Sequence, residues 1–299
     1  MSNIFHISPE RLQPAGMSAA MAALQRGFAH FGIDFYVVGA VARDIWMSQV
    51  YHAPERRMTK DLDLAVFINN TAEYETLLAW LIAHENFTQT RHSAFCLHYH
   101  APGSSGSVPV DLMPFGAIAD EAGDVYLTGR GMERISTVGF SEVLAEAATL
   151  TTEAGEAWRV VTLPGIAVLK LIAWQDRPEK RGKDATDVWN LVEGYFNLIA
   201  DDIYTEHLDL FDENETATAT NFMLLVGARV LGRQMGQLLA AGPVQVRVLA
   251  LLADQLALGE RSPLAKVLSQ QGAALTTCLQ VLTALHTGLT DEWPPAQSS

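Results

Sequence analysis

Cysteine is nearly missing from this sequence, with two in 299 residues. Cys96 and Cys278 lie far apart and in different expected elements, which excludes a disulfide framework and points to a reducing, cytoplasmic setting. Long apolar runs are missing too. Although 49% of the residues are hydrophobic, no stretch reaches membrane-spanning length, so no membrane association is expected. The opening MSNIFHISPERLQPAG lacks the basic segment and long apolar core of a secretory leader. Positive charge is scarce: 20 Lys and Arg stand against 34 Asp and Glu, a net charge of −14. That balance disfavours a protein that coats nucleic acid without discrimination. It leaves room for local basic grooves, because seven of the 20 cations fall in two short segments, Arg56, Arg57 and Lys60 and then Arg177, Lys180, Arg181 and Lys183. Either segment alone reads as a solvated loop.

The pattern along the chain is that of an α+β protein. SAAMAALQRGFAHFG has helical apolar spacing and stops at Gly32, DFYVVGA reads as a strand running into Gly39, and AVARDIWMSQV reads as a helix directly after it. DLDLAVF is a strand, TAEYETLLAWLIAHE a helix capped by Thr71, and AFCLHYH and VPVDLMPF two strands around the turn PGSSGS. A small mixed sheet follows from these. From Pro164 onward the apolar residues recur at helical spacing, so a boundary falls near Thr162 to Gly165, giving an expected catalytic domain over 1–162 and a helical domain over 163–299. Asp201 to Glu215 reads as a surface connection and DEWPPAQSS as a loose tail.

The chemistry starts at KDLDLAV, residues 60–66. Side chains alternate along a strand, so Leu62, Leu64 and Val66 share one face and Asp61 and Asp63 the other. Two like charges on neighbouring same-face positions repel, and Asp is depleted in strands. Such a pair is tolerated at a solvated strand end, or where a divalent cation supplies the missing charge. Asp111, the one acid in the apolar strand VPVDLMPF, would complete a three-carboxylate cluster able to hold two Mg2+ ions if the two strands are neighbours. VVGAVARD, a glycine between a strand and a helix, presents backbone N–H groups suited to a phosphate, with the small Ala40 allowing close approach and Arg43 adding charge. Lys170 is embedded in the apolar run IAVLKLIAW, on a helical stripe with Trp174 and Arg177, and Lys183 and Asp187 lie one helical turn apart. A snorkelling lysine and a surface ion pair account for these equally well. His98 and His100 read as ordinary sheet histidines.

Taken in order, a glycine turn, paired Asp, a third Asp on a later strand and then KLIAWQDR…KDATDVWNL resemble the DNA polymerase β nucleotidyltransferase superfamily. Within it the chain looks most like the AbiEii-type nucleotidyltransferases, whose members include toxins of type IV toxin–antitoxin systems. The resemblance spans Val37 to Leu191, and VVGAVARDIWM is also similar to the GGxVRD opening of CCA-adding enzymes. It implies a polymerase β-like catalytic domain and a helical domain that contributes Lys and Asp motifs to the cleft. It implies a metal set of Asp61, Asp63 and Asp111, with these three and Lys170 catalytic. The nucleotide contacts it implies are Gly39, Ala40, Arg43, Arg177, Lys183 and Asp184. The implied cofactor is Mg2+, with Mn2+ able to replace it. The substrate would be an NTP, the acceptor an RNA end, notably of tRNA, and an antitoxin the genetic neighbour. A small-molecule or protein acceptor stays within the same chemistry, and a nucleotide-sensing module without turnover is the alternative of another class. Ala40 departs from the Ser or Gly usual at its place, which removes a hydroxyl but keeps the backbone donor.

Overall fold

The computed structural model describes residues 5–9, 16–53, 61–90, 93–103, 106–129, 131–153, 155–211 and 221–293. The chain divides into two compact units, Met1–Thr162 and Leu163–Ser299.

The first unit is built on a mixed sheet of strands β1 (His6–Ile7), β2 (Phe35–Val37), β3 (Leu62–Phe67), β4 (Phe87–Gln89), β5 (Cys96–Tyr99), β6 (Val108–Phe115), β9 (Ala148–Thr152) and β10 (Ala157–Val160), in the order β1-β9-β10-β2-β3-β6-β5-β4. β7 (Asp124–Thr128) and β8 (Met132–Ser136) form a separate hairpin. β3 and β6 run parallel, whereas β2 with β3 and β5 with β6 are antiparallel. Alternation sorts the central strands into two faces. Leu62, Leu64, Val66, Leu97, Tyr99, Val108, Val110 and Leu112 are all buried on one. Asp63, Asp111, Cys96 and His98 are only half-buried on the other. Burying one Leu of the closed face contributes about 2 kcal/mol. Slipping the register by one residue would exchange the faces, which is why this pairing is well specified.

Among the described residues, four α-helices accompany the sheet: α1 (Met17–Phe31), α2 (Gly39–Asp44), α3 (Thr71–His84) and α4 (Phe140–Ala145). Gly32 at φ 66 ends α1, its N–H bonded to the Phe28 carbonyl. α3 is capped by Asn70, whose side chain accepts from the Glu73 N–H, and not by Thr71 as expected. The Asn70 oxygen reaches that donor from one residue further out. Tyr74 of α3 donates to the Leu112 carbonyl at 2.8 Å, fixing α3 on β6. α2 continues as a π-helical turn, Ile45–Val50, and Trp46 in it donates to the Val161 carbonyl at 2.7 Å.

The second unit is helical: α5 (Leu163–Asp176), α6 (Gly182–Leu198), α7 (Ala200–Glu206), α8 (Phe222–Leu239), α9 (Pro243–Ala257), α10 (Pro263–Ser269) and α11 (Leu275–Thr290). α8 and α11 approach closely through glycine, since a Cβ at Gly288 would lie 2.1 Å from the Arg229 carbonyl oxygen. Two expectations change here. The segment read as a surface connection contains α7 and a short 3-10 turn, Leu208–Phe211, anchored by the buried Ile203, His207 and Leu210; its last residues, 212–215, lie outside the described residues. The tail is held as far as Trp293, which stacks on His207 at 4.2 Å, while Asp291 receives Arg229 and Arg233 at 2.9 and 2.6 Å. The buried Arg233 requires a counter-ion, and Asp291 and Asp209 provide it.

Candidate active site

β2 ends at Val37, and Val38, extended at φ −124, donates to the Asp63 carbonyl at 3.0 Å. This bond locks the turn before α2 to β3. Gly39 follows at φ +67, and a Cβ there would lie 2.0 Å from Asp63 Oδ2. Only glycine tolerates both the backbone angle and the carboxylate pressed against it. Ala40 is the next residue of α2, and Arg43, one helical turn on, has its guanidinium on Asp44 at 2.7 Å.

Asp63 stands directly opposite Asp111 in the parallel ladder of β3 and β6, so the two share the open face. Neighbouring strands lie about 4.8 Å apart. On its other side Asp111 faces Cys96 of β5. Asp61 is exposed immediately before β3. Burial pushes the Asp111 carboxyl above the usual carboxylate range; the neighbouring Cys96 thiol opposes this, the charge of Asp61 adds to it, and His98 partly offsets it. Burial, and then the adjacent Asp111 carboxylate, pushes the Cys96 thiol up to about 12. Cys96 is therefore a protonated S–H group beside a carboxylate, and not a nucleophile.

Among the described residues, no group of three or more His, Cys, Asp or Glu side chains is gathered closely enough to hold a metal by itself. The donor set is nevertheless of the right chemistry. Mg2+ is commonly held by one or two carboxylates together with substrate phosphates, and two carboxylates in register on adjacent strands satisfy that demand.

In the helical unit, Lys170 of α5 lies 2.8 Å from Asp184 and 2.7 Å from Asp187, both on α6. The lysine does not snorkel. Burial alone would lower its pKa, but Asp187 and Asp184 outweigh burial and raise it. Asp187, read from spacing as a partner for Lys183, reaches Lys170. Lys183 is exposed on the first turn of α6. Arg177 lies just beyond the end of α5, with Nε 3.2 Å from Asp176, so the helical stripe drawn through Lys170 and Trp174 stops short of it. Arg56, Arg57 and Lys60 lie outside the described residues.

A family model for the AbiEii nucleotidyl transferase toxins of type IV toxin–antitoxin systems matches residues 22–229. The chain belongs to the AbiEii family. This AbiEii protein is accordingly a nucleotidyltransferase, with the mixed α/β fold and helical C-terminal region described above. Among solved structures, the CD-NTase CdnG of Bradyrhizobium diazoefficiens in complex with GTP is similar at 12% identity and a TM-score of 0.30, over 96% of this chain and 88% of that one. A likeness that slight carries no weight here. Among curated proteins none matches. Among the described residues, no helix of the AbiEii chain is long and apolar enough to cross a membrane.

Cys96 and His98 are the residues near this site that reading the sequence did not select. Their alternation in AFCLHYH was visible, but the pairing that sets Cys96 against Asp111 depends on strand order, which no local pattern encodes.

Proposed function

We propose that this AbiEii chain transfers a nucleoside monophosphate from an NTP to a hydroxyl at an RNA end, tRNA above all, with Mg2+ or Mn2+ held by Asp63 and Asp111 and flanked by Asp61. The observation that carries this reading is the Gly39 turn, just beyond β2, pressed against Asp63, with Asp63 directly opposite Asp111 on the neighbouring strand. When bound, the cation neutralises the triphosphate and polarises the phosphorus under attack. The backbone N–H groups at Gly39 and Ala40 orient the phosphates. Asp111 accepts the proton of the attacking hydroxyl. The new bond joins the acceptor oxygen to the α-phosphorus, the bond to the β-phosphate oxygen breaks, and pyrophosphate leaves. The rate advantage comes from positioning and charge placement. An antitoxin partner follows from the family's two-component character.

The test is incubation of the purified protein with each labelled NTP, Mg2+ and total RNA. Label on RNA is expected. Asp63→Asn should reduce it by about a hundredfold or more, while thermal stability holds or rises because one repelling carboxylate is gone. Label appearing only on protein or on a small acceptor would overturn the RNA assignment. Nucleotide binding without any transfer would favour a sensing module.

A further inference from the structure

The order of strands gives the open face a direction. The phosphate turn lies at the β2 side of Asp63, and Asp111, β5 and β4 lie in succession on the other. Attacking and leaving oxygens stand on opposite sides of the phosphorus in an in-line displacement. With the phosphates held at Gly39, the attacking hydroxyl enters from the β5 side. His98 is two residues along β5 from Cys96 and therefore on the same face, diagonal to Asp111. Ser107 Oγ lies 3.0 Å from its Nδ1 and fixes the ring. Its Nε2 has no hydrogen-bond partner among the described residues.

We propose that His98, oriented by Ser107, is the acceptor-side contact of the AbiEii site and hydrogen-bonds through Nε2 to the backbone phosphate flanking the attacking hydroxyl of an RNA end. This rests on the transferase reading above for its direction, but it concerns binding alone. With the Ser107 hydroxyl donating to Nδ1, Nε2 carries the ring proton and is the nitrogen left to donate, as a phosphate contact requires. The half-buried ring gives that contact a fixed place, unlike a surface lysine. In a chain of net charge −14, one pre-oriented donor beside the carboxylates provides registration where a broad basic patch is lacking.

A fluorescent single-stranded RNA ending in a 3′-hydroxyl, titrated without nucleotide and followed by anisotropy, reads the contact directly. His98→Ala should weaken RNA binding about fivefold, the effect of one lost hydrogen bond, and leave NTP affinity unchanged. His98→Gln, which restores a donor at the position of Nε2, should recover most of the loss. Equal RNA affinity for the parent and His98→Ala overturns the inference whatever the transfer assay gives, as does a parent that binds no RNA. A parent that loses RNA affinity through His98→Ala yet transfers no nucleotide retains this contact and refutes the transferase reading.

Discussion

At the scale of single residues the site turns on contacts too close for any other side chain. Gly39 combines a positive φ with a carboxylate lying where its Cβ would be, so Gly39→Ala strains the backbone and displaces Asp63 together. The backbone part alone costs about 1–2 kcal/mol. The expected outcome is a Tm lower by several degrees and NTP affinity in the presence of Mg2+ reduced by about tenfold or more, read by thermal unfolding and by nucleotide titration. An unchanged nucleotide affinity would show that the turn and the acid act separately. Gly39, Asp63 and Asp111 stood out in the sequence as candidates, because an acid in a strand and a glycine between strand and helix are local anomalies; that β3 starts at Leu62 and leaves Asp61 exposed before it was not visible there. The thiol of Cys96 against Asp111 was not, being a relation between strands.

At the scale of elements, the ion cluster of Lys170, Asp184 and Asp187 ties α5 to α6. Removing Lys170 leaves Asp187 facing the buried Asp184, whose remaining cation is the largely exposed Arg181 at 3.5 Å. Lys170→Ala is expected to cost about 3 kcal/mol, whereas Lys170→Ala combined with Asp184→Asn and Asp187→Asn recovers part of that loss. Urea unfolding of the single and triple variants measures both. A Lys170→Ala protein as stable as its parent would show that the cluster is not structural. The spacing of helices in this half was readable, since each carries an apolar face at the 3.6-residue period. Strands of two to five residues such as β1, β4, β9 and β10 were not, because they are too short to display alternation. The acidic look of Asp201 to Glu215 concealed α7 for another reason: the helix buries only Ile203, too little to show an apolar period.

At the scale of the whole molecule, stability depends on acidity through the helical unit. His207 is fully buried, accepts from Arg233 at 3.2 Å through Nδ1, and has its pKa lowered from the ordinary 6.5 to about 4, first by burial and then by the Arg233 charge. Between those two values the unfolded chain takes up a proton that the folded chain refuses, so stability present above 6.5 is lost as the pH falls toward 4. Asp209, hydrogen-bonded to Arg233, and Asp291, whose burial is outweighed by Arg229 and Arg233, lie below the ordinary 3.8, so their contributions disappear only at still lower pH. Tm followed across this range is expected to fall by several degrees in the parent and less steeply in His207→Asn, which keeps an acceptor for Arg233 but cannot be protonated. Parallel curves would remove His207 from the account.

Asp63, seated against Gly39, has a further consequence for the order in which things arrive. In the proposed site, a polyphosphate stripped of its cation meets a carboxylate at the very spot its own oxygens need. On that proposal the turn would discriminate by charge before it discriminates by shape. Nucleotide and cation would enter as a single ligand, with the bare nucleotide turned away at the point of docking, before any chemistry begins.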